Sequence, residues 1–305
     1  MGLAQRSTPN AERRLGCPVV GLLEMRMNRY RRGMPDQSVD QPVLMFMKER
    51  GAGQSVIEEL YPLQRAASAP SLFDRIVGNS PLLTDAKAWY TGALGEIEVG
   101  RILANLPAGW SSYHALPIGT KGSDIDHVVV GPGGVFTINT KHHRGKNIWV
   151  GGTGFLVSGR RQHYISNAES EADKVTRMLR IHLPDLPAVI PVIALVNPKQ
   201  ITIKVAPDRV EVLDAGYLPR FFRKRKPLLT EAELEILNHL VDSPSFWRAD
   251  PLVQGAEARV HFAQLHRDVR NAGMARIGWK VAGFVTLVIL IRPTFDLALS
   301  LLGTN

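Results

Sequence analysis

The sequence predicts an α/β domain over residues 85–225, a mixed sheet flanked by helices, with a helical C-terminal extension. Three observations carry that prediction. A helical pattern is followed by several short β-like runs, a second helix, further strands and more helices, an order that packs helices onto one sheet. Two glycine-rich joints, Gly131-Pro132-Gly133-Gly134 and Gly151-Gly152-Thr153-Gly154, separate short apolar runs as hairpin turns do. The run Val189–Val196 lacks alternation, as expected of a strand covered on both faces.

The elements follow in order. Residues 85–105 read as a helix with Ala88, Ala93, Ile97, Ile102 and Leu103 among its apolar positions, ended by Pro107 and Gly109. Strands are expected at 111–117, 124–130, 135–141, 147–150 and 154–158. Ser166 and Glu169 have capping-box spacing and open a helix to about His182, before Pro184. Strands follow at 188–196, 200–205 and 209–213. Thr230 and Glu233 form a second capping box, for a helix to about Val241, and a further helix covers 256–273. Residues 1–80 sustain no period and read as a weakly ordered leader; 228–275 form the helical extension and 277–303 a hydrophobic tail.

Composition narrows the class. Hydrophobic residues at 45% and charged residues at 21% exclude wholesale disorder and a polytopic membrane protein. A net charge of +9 and a pI near 9.8 favour anionic partners, either nucleic acid or an acidic membrane surface. A lone cysteine, Cys17, excludes an intramolecular disulfide framework and a cysteine-based zinc site, and fits a reducing, cytoplasmic compartment. The N-terminus does not read as a signal peptide, since Gly16, Pro18 and Gly21 interrupt its apolar stretch.

One constellation carries chemistry. Side chains alternate across a strand, so Asp124 and Asp126 share one face, as do Asn139 and Lys141. The tight turn at 131–134 makes the two strands antiparallel, so both polar pairs lie at the same end of the hairpin. An Asp–Lys ion pair at a sheet end accounts for the spacing equally well. Glu96 adds weight: its helical neighbours Gly92, Ala93, Val99 and Gly100 make a small apolar face, and a buried carboxylate needs a metal, a lysine or hydrogen bonds.

These residues resemble a family. Gly92-x-x-Gly95-Glu96, Asp124-Ile125-Asp126-His127-Val-Val-Val and Gly134-Val-Phe-Thr-Ile-Asn139-Thr-Lys141 look like the nuclease-related domain (NERD) of the PD-(D/E)XK, or restriction-endonuclease-like, superfamily. The resemblance covers about 90–200. It implies a restriction-endonuclease-like sheet and hydrolysis of phosphodiester bonds in nucleic acid with Mg²⁺ or Mn²⁺. Asp126 matches the first metal-binding carboxylate, Glu96 the helix glutamate that supports it, and Lys141 the lysine that orients water or stabilises developing charge. The main-chain carbonyl of Thr140 is a further candidate ligand. At the (D/E)-x-K position stands Asn139, whose amide oxygen can ligate a hard cation without contributing charge. Metal affinity should fall unless Asp124 supplies the charge. A catalytically degenerate nucleic-acid-binding module, or a membrane-associated interaction protein, is the alternative on the same fold.

Other motifs are weaker. His142 and His143, adjacent in a strand, point to opposite faces and read as exposed polar residues; His127 points away from Asp126 and suits packing or hydrogen bonding. Arg220, Arg223, Lys224, Arg225 and Lys226, interleaved with Phe221 and Phe222, can bind phosphates and stack bases, or are a solvated helix end. Residues 281–291 are an unbroken apolar run of about 16 Å as a helix, short of a roughly 30 Å hydrocarbon core. Extending to Leu302 includes Arg292, Pro293 and Asp296. His266, Arg267, Arg270, Arg276 and Lys280 precede the run, an asymmetry that suits a tail tethering a cytoplasmic domain. A transmembrane helix, an interfacial anchor and a buried or oligomer-forming helix all fit; oligomeric state is not legible.

Overall fold

A computed structural model describes residues 46–118, 124–247 and 255–302, with side chains through Ile291. After a 3₁₀ turn at Met47–Glu49 come α1 (Gln54–Gln64), α2 (Leu72–Val77) and α3 (Lys87–Leu103). Strands β1 (Ser111–Pro117), β2 (Asp124–Gly131), β3 (Gly134–His142), β4 (Asn147–Gly151), β5 (Gly154–Val157) and β6 (Arg160–Gln162) precede α4 (Tyr164–Arg180). Then follow β7 (Ile190–Val196), β8 (Gln200–Val205), β9 (Glu211–Asp214), α5 (Leu218–Arg223), α6 (Glu231–Asp242), α7 (Pro244–Trp247) and α8 (Gly255–Leu302).

The result is a mixed α/β fold of restriction-endonuclease-like type, with two sheets rather than the one expected. The main sheet has the order β1-β2-β3-β7-β9, antiparallel from β1 to β3 and parallel from β3 to β9. The second has the order β6-β5-β4-β8 and is built from the chain between β3 and β7, plus β8. The period-two pattern of β2 divides the main sheet's faces. Val129 packs with Phe136, Ile138 and Val192 beneath Val99 and Leu103 of α3. Val128, Val130 and Val135 pack beneath Ala172, Val175 and Leu179 of α4. Strand β7, between β3 and β9, is buried along almost its whole length, which explains its unbroken apolar sequence.

Three expectations need correction. Helix α4 begins at Tyr164, and the Ser166 hydroxyl donates to the His163 carbonyl, so no capping box forms at Ser166–Glu169; strand β6 leads straight into the helix and sets its start earlier. The box at Thr230–Glu233 does form. The leader over 1–80 is ordered in its described part: Ile57 and Leu60 of α1 pack against Ala258, Phe262 and Leu265 of α8, with Tyr90 and Ala93 of α3. These short helices draw their stability from tertiary contact, and α1 contains Pro62, so no local period announces them. Residues 1–45 lie outside the described part. Finally, the extension and the tail are not separate, because α8 continues without a break from 255 to 302.

Helix α8 is anchored at its start and bare further on. Tyr61 donates to Glu257, Tyr90 meets His266 Nδ1 at 2.8 Å, and Trp279 Nε1 donates to the Ile76 carbonyl at 2.7 Å. Gly78, at φ 84 after α2, lets the chain pass so close to α8 that a Cβ there would stand 2.6 Å from the Ala272 carbonyl. From Val281 to Ile291 every residue is exposed.

Candidate metal centre

The site arises where the main sheet comes apart. The β2–β3 ladder runs from Gly131↔Gly134 to His127↔Ile138 and stops, while β3 stays paired with β7 as far as His142↔Val196. On the other edge of β2, Ala115 lies between the paired residues His114 and Leu116 with φ 52. A positive φ is uncommon for a non-glycine residue and marks local strain, which gathers at functional positions. The Ala115 carbonyl is turned to Arg50, whose Nε donates to it at 2.7 Å. Asp126 therefore sits between two interruptions of the sheet.

Its carboxylate fills the gap. Asp126 Oδ2 accepts the backbone N–H of Thr140 at 2.6 Å, satisfying a donor that the ladder leaves free. In a strand the carbonyl of a residue leaves from the same edge as its N–H, so the Thr140 carbonyl faces the same opening. Behind it, the Thr140 hydroxyl meets His127 Nε2 at 3.2 Å, and His127 Nδ1 meets His114 Nδ1 at 2.8 Å. This buried relay gives His127 the hydrogen-bonding role expected of it.

Glu96 approaches from α3. Gly95 makes that possible: a Cβ there would stand 2.9 Å from His142 Cβ and 3.3 Å from Thr140 Cγ2, so only glycine lets the helix lie this close to β3. Glu96 is 6% exposed, and the Gly53 backbone N–H at the start of α1 helps to hold its charge. The stretch read as a leader thus walls the site. Lys141 lies over the Tyr164 ring of α4, its Nζ 5.1 Å from the centroid. The described ion pairs are Arg101–Glu98, Arg209–Asp173 and Arg225–Glu211, so the simple Asp–Lys pair at the sheet end does not form among the described residues.

The electrostatics are those of crowded, desolvated anions. Burial pushes the Glu96 carboxyl well above the usual range, and Asp126 pushes it further, while Lys141 opposes. Burial also raises Asp126, against the pull of Lys141 and the Thr140 N–H. Asp124 is raised by burial and steadied by the Ser55 hydroxyl and Arg50. His127 is driven far below its ordinary value by burial and by His114, which itself falls to about 4 through burial.

Against known proteins, residues 91–196 match the family model of the nuclease-related domain. Over that stretch the chain resembles a nuclease-related domain. Its general context is the PD-(D/E)XK superfamily. No curated protein and no solved structure matches the chain.

The fold brings together Glu96, Asp126, Asn139, Thr140 and Lys141 at the open end of the β2–β3 hairpin. Asp124 lies at the margin, among Arg50, Ser55, Glu58 and Glu59. The carboxylate against Asn139 is instead Glu171 of α4, which the sequence reading missed: Asn139 Nδ2 donates to both its oxygens, at 3.1 and 3.0 Å. Burial raises the Glu171 carboxyl, opposed by the Asn139 hydrogen bond, and Asp126 adds to the rise. Glu171 lies on the sheet-facing side of α4, one residue before buried Ala172 and four before buried Val175, and that placement was the available signal.

The oxygen donors suit a hard divalent cation. Among the described residues no three His, Cys, Asp or Glu side chains are arranged to chelate a metal. Yet Asn139, only 8% exposed, buries an Oδ1 that has no hydrogen-bond partner. A buried, unpaired acceptor beside Asp126 is what a cation would complete.

The basic run lies elsewhere. Arg225 packs on Gly133 at the turn end of the hairpin, and Leu228 N–H donates to the Pro132 carbonyl. Five residues of β2 separate that end from Asp126, about 17 Å of strand. Phe221 and Phe222 are buried against Trp110 and Phe136, so base stacking by them is corrected: they are core. Arg225 pairs with Glu211 and lies over Phe221 at 4.1 Å, while Arg220, Arg223, Lys224 and Lys226 are exposed. His142 and His143 do face opposite sides, to the Thr91 carbonyl of α3 and to Tyr164 of α4, but their Nε2 atoms are buried and unpaired rather than exposed. A cavity of about 420 Å³ opens beside β7 and β9, lined by Glu98, Arg101, Asn197 and Asp214 among others, and contains none of the site residues.

Proposed function

We propose that this chain is a divalent-metal-dependent nuclease that hydrolyses phosphodiester bonds in nucleic acid. The observation that carries the reading is the parted end of β2 and β3, which gathers Asp126, Asn139, Thr140 and Lys141 beside Glu96 within a nuclease-related domain. Asp126, the Asn139 Oδ1 and the Thr140 carbonyl would hold Mg²⁺ or Mn²⁺. When bound, the cation supplies Lewis-acid neutralisation of the phosphate oxygens. Lys141 presents its ammonium to the developing negative charge and orients the attacking water. Glu96 supports Asp126 from α3, and the His114–His127–Thr140 relay holds the strand in register.

The net charge of +9 draws polyanions toward the chain. The runner-up is a non-catalytic nucleic-acid-binding module, favoured by the neutral amide at 139. One assay separates them: labelled DNA and RNA with Mg²⁺ or Mn²⁺, wild type beside Lys141→Ala. Divalent-dependent cleavage lost in the variant supports the nuclease. Cleavage unchanged by the variant overturns the site assignment, and salt-sensitive binding without cleavage supports the runner-up.

We further propose that α8 tethers the domain to the cytoplasmic face of a membrane. It is long and apolar enough to cross one, its most apolar 18-residue stretch has mean hydropathy 1.7, and none of that stretch is buried. Trp279 and Lys280 stand where the helix leaves the domain, the residue types that line membrane interfaces. A chain ending at Lys280 should fractionate as soluble while the full chain needs detergent; equal solubility would overturn the tether.

A further inference from the structure

The sheet position where the superfamily places a carboxylate is neutral here, and the structure puts a carboxylate directly behind it. A carboxylate can only accept hydrogen bonds, so Glu171, taking both bonds from Asn139 Nδ2, fixes which way the amide points. The nitrogen faces α4, and the oxygen is left buried without a partner. Asn139 is 92% removed from solvent, by its 8% exposure, so water does not freely satisfy that oxygen. Glu171 also lies within electrostatic reach of Asp126 and Lys141, and Glu96 of the same two.

We propose that Glu171 is the relocated acidic residue of this cation site: it provides from α4 the charge that position 139 lacks, and it orients Asn139 so that Oδ1 serves as the ligand. Asn139 and Glu171 act as one unit, a neutral ligand with its charge one hydrogen bond behind it. Partners that orient metal ligands in this way typically set affinity by about 10–100-fold. The inference rests on the nuclease reading of the site, and it makes Glu171 a positioning residue rather than a group that touches substrate.

The test is Mn²⁺ titration of the full chain in detergent, by calorimetry and by the electron paramagnetic resonance of free Mn²⁺. Four proteins are compared: wild type, Asp126→Asn, Glu171→Gln, and the exchanged pair Asn139→Asp with Glu171→Gln. Glu171→Gln keeps shape and an acceptor for Asn139 but removes the charge. It should weaken Mn²⁺ binding by about 10–100-fold. The exchanged pair returns the charge to the strand and should bind within a few-fold of wild type. A role in packing alone would not produce that rescue. Wild-type binding that is lost in Asp126→Asn but unchanged in Glu171→Gln overturns this inference and leaves the nuclease reading standing. No binding by wild type overturns both. Should Glu171→Gln fail to fold, the exchanged pair decides, since an exchanged pair that folds but does not bind contradicts the charge assignment.

Discussion

The two ends of the β2–β3 hairpin are built on opposite terms. At the turn end the large groups are satisfied: Phe136, Phe221 and Phe222 pack edge to face, Trp110 lies tilted against them, and Arg225 caps them while pairing with Glu211. At the open end the ladder stops, Ala115 adopts a strained φ, and Asn139 Oδ1, His142 Nε2 and His143 Nε2 are buried without partners. Unpaired buried polar atoms cost stability, so a fold retains them where they serve something else. The turn end holds the hairpin together, and the open end, the proposed cation site, carries the unpaired groups.

Variants can break or sharpen this contrast. The largest expected effect is at the open end, where Lys141→Ala should cut divalent-dependent cleavage by about 10²–10³-fold while leaving thermal stability nearly unchanged. The converse is expected of Gly131→Ala at the turn end. The new Cβ would stand 2.2 Å from the Trp110 ring, which is itself locked by Phe136 and Phe222, so overpacking should cost about 1–3 kcal/mol with Mn²⁺ affinity intact. Denaturant midpoints and Mn²⁺ titrations on the same preparations check both.

The relay behind the site makes a pH prediction. His114 and His127 have pKa values lowered by burial, His114 to about 4. Below the ordinary histidine value of 6.5 the unfolded chain takes up protons that the folded chain does not, so their contribution is full above pH 6.5 and is lost as pH falls, for His114 as it nears about 4. Glu96, Asp126 and Glu171 act in the opposite sense: carboxyls raised in the fold favour it at low pH and lose that contribution as pH rises through their folded values. Replacing His127 with Gln should therefore flatten the acid limb relative to wild type, read as the difference in melting temperature between pH 5 and pH 7. A smaller effect is expected of Arg225→Ala, about 1 kcal/mol, because its ion pair is partly exposed and most of the loss is packing over Phe221.

How much of this was legible in the sequence follows from which interactions are local. The hairpin, its turn and the polar ends at 124–126 and 139–141 were readable, because alternation and turn glycines fix which residues meet. Glu96 was readable from the small residues around it. Glu171 was not: its meeting with Asn139 depends on how α4 crosses β3, a tertiary fact. The wall formed by Arg50, Gly53 and Ser55 was missed for the same reason, since α1 is held by α8 from the far end of the chain. The basic run at 220–226 looked like a binding strip because sequence spacing does not tell a buried phenylalanine from an exposed one.

The central claim is that the open end is a cation site centred on Asp126, and thermal unfolding with and without Mn²⁺ tests it most directly, wild type beside Asp126→Asn. Because burial disfavours the Asp126 charge, the variant should be at least as stable as wild type at pH 8 in the absence of metal. Mn²⁺ should then raise the melting temperature of wild type alone, by the equivalent of about 2.7 kcal/mol at 100 times its dissociation constant. An equal rise in both proteins, or none in wild type, would contradict the assignment.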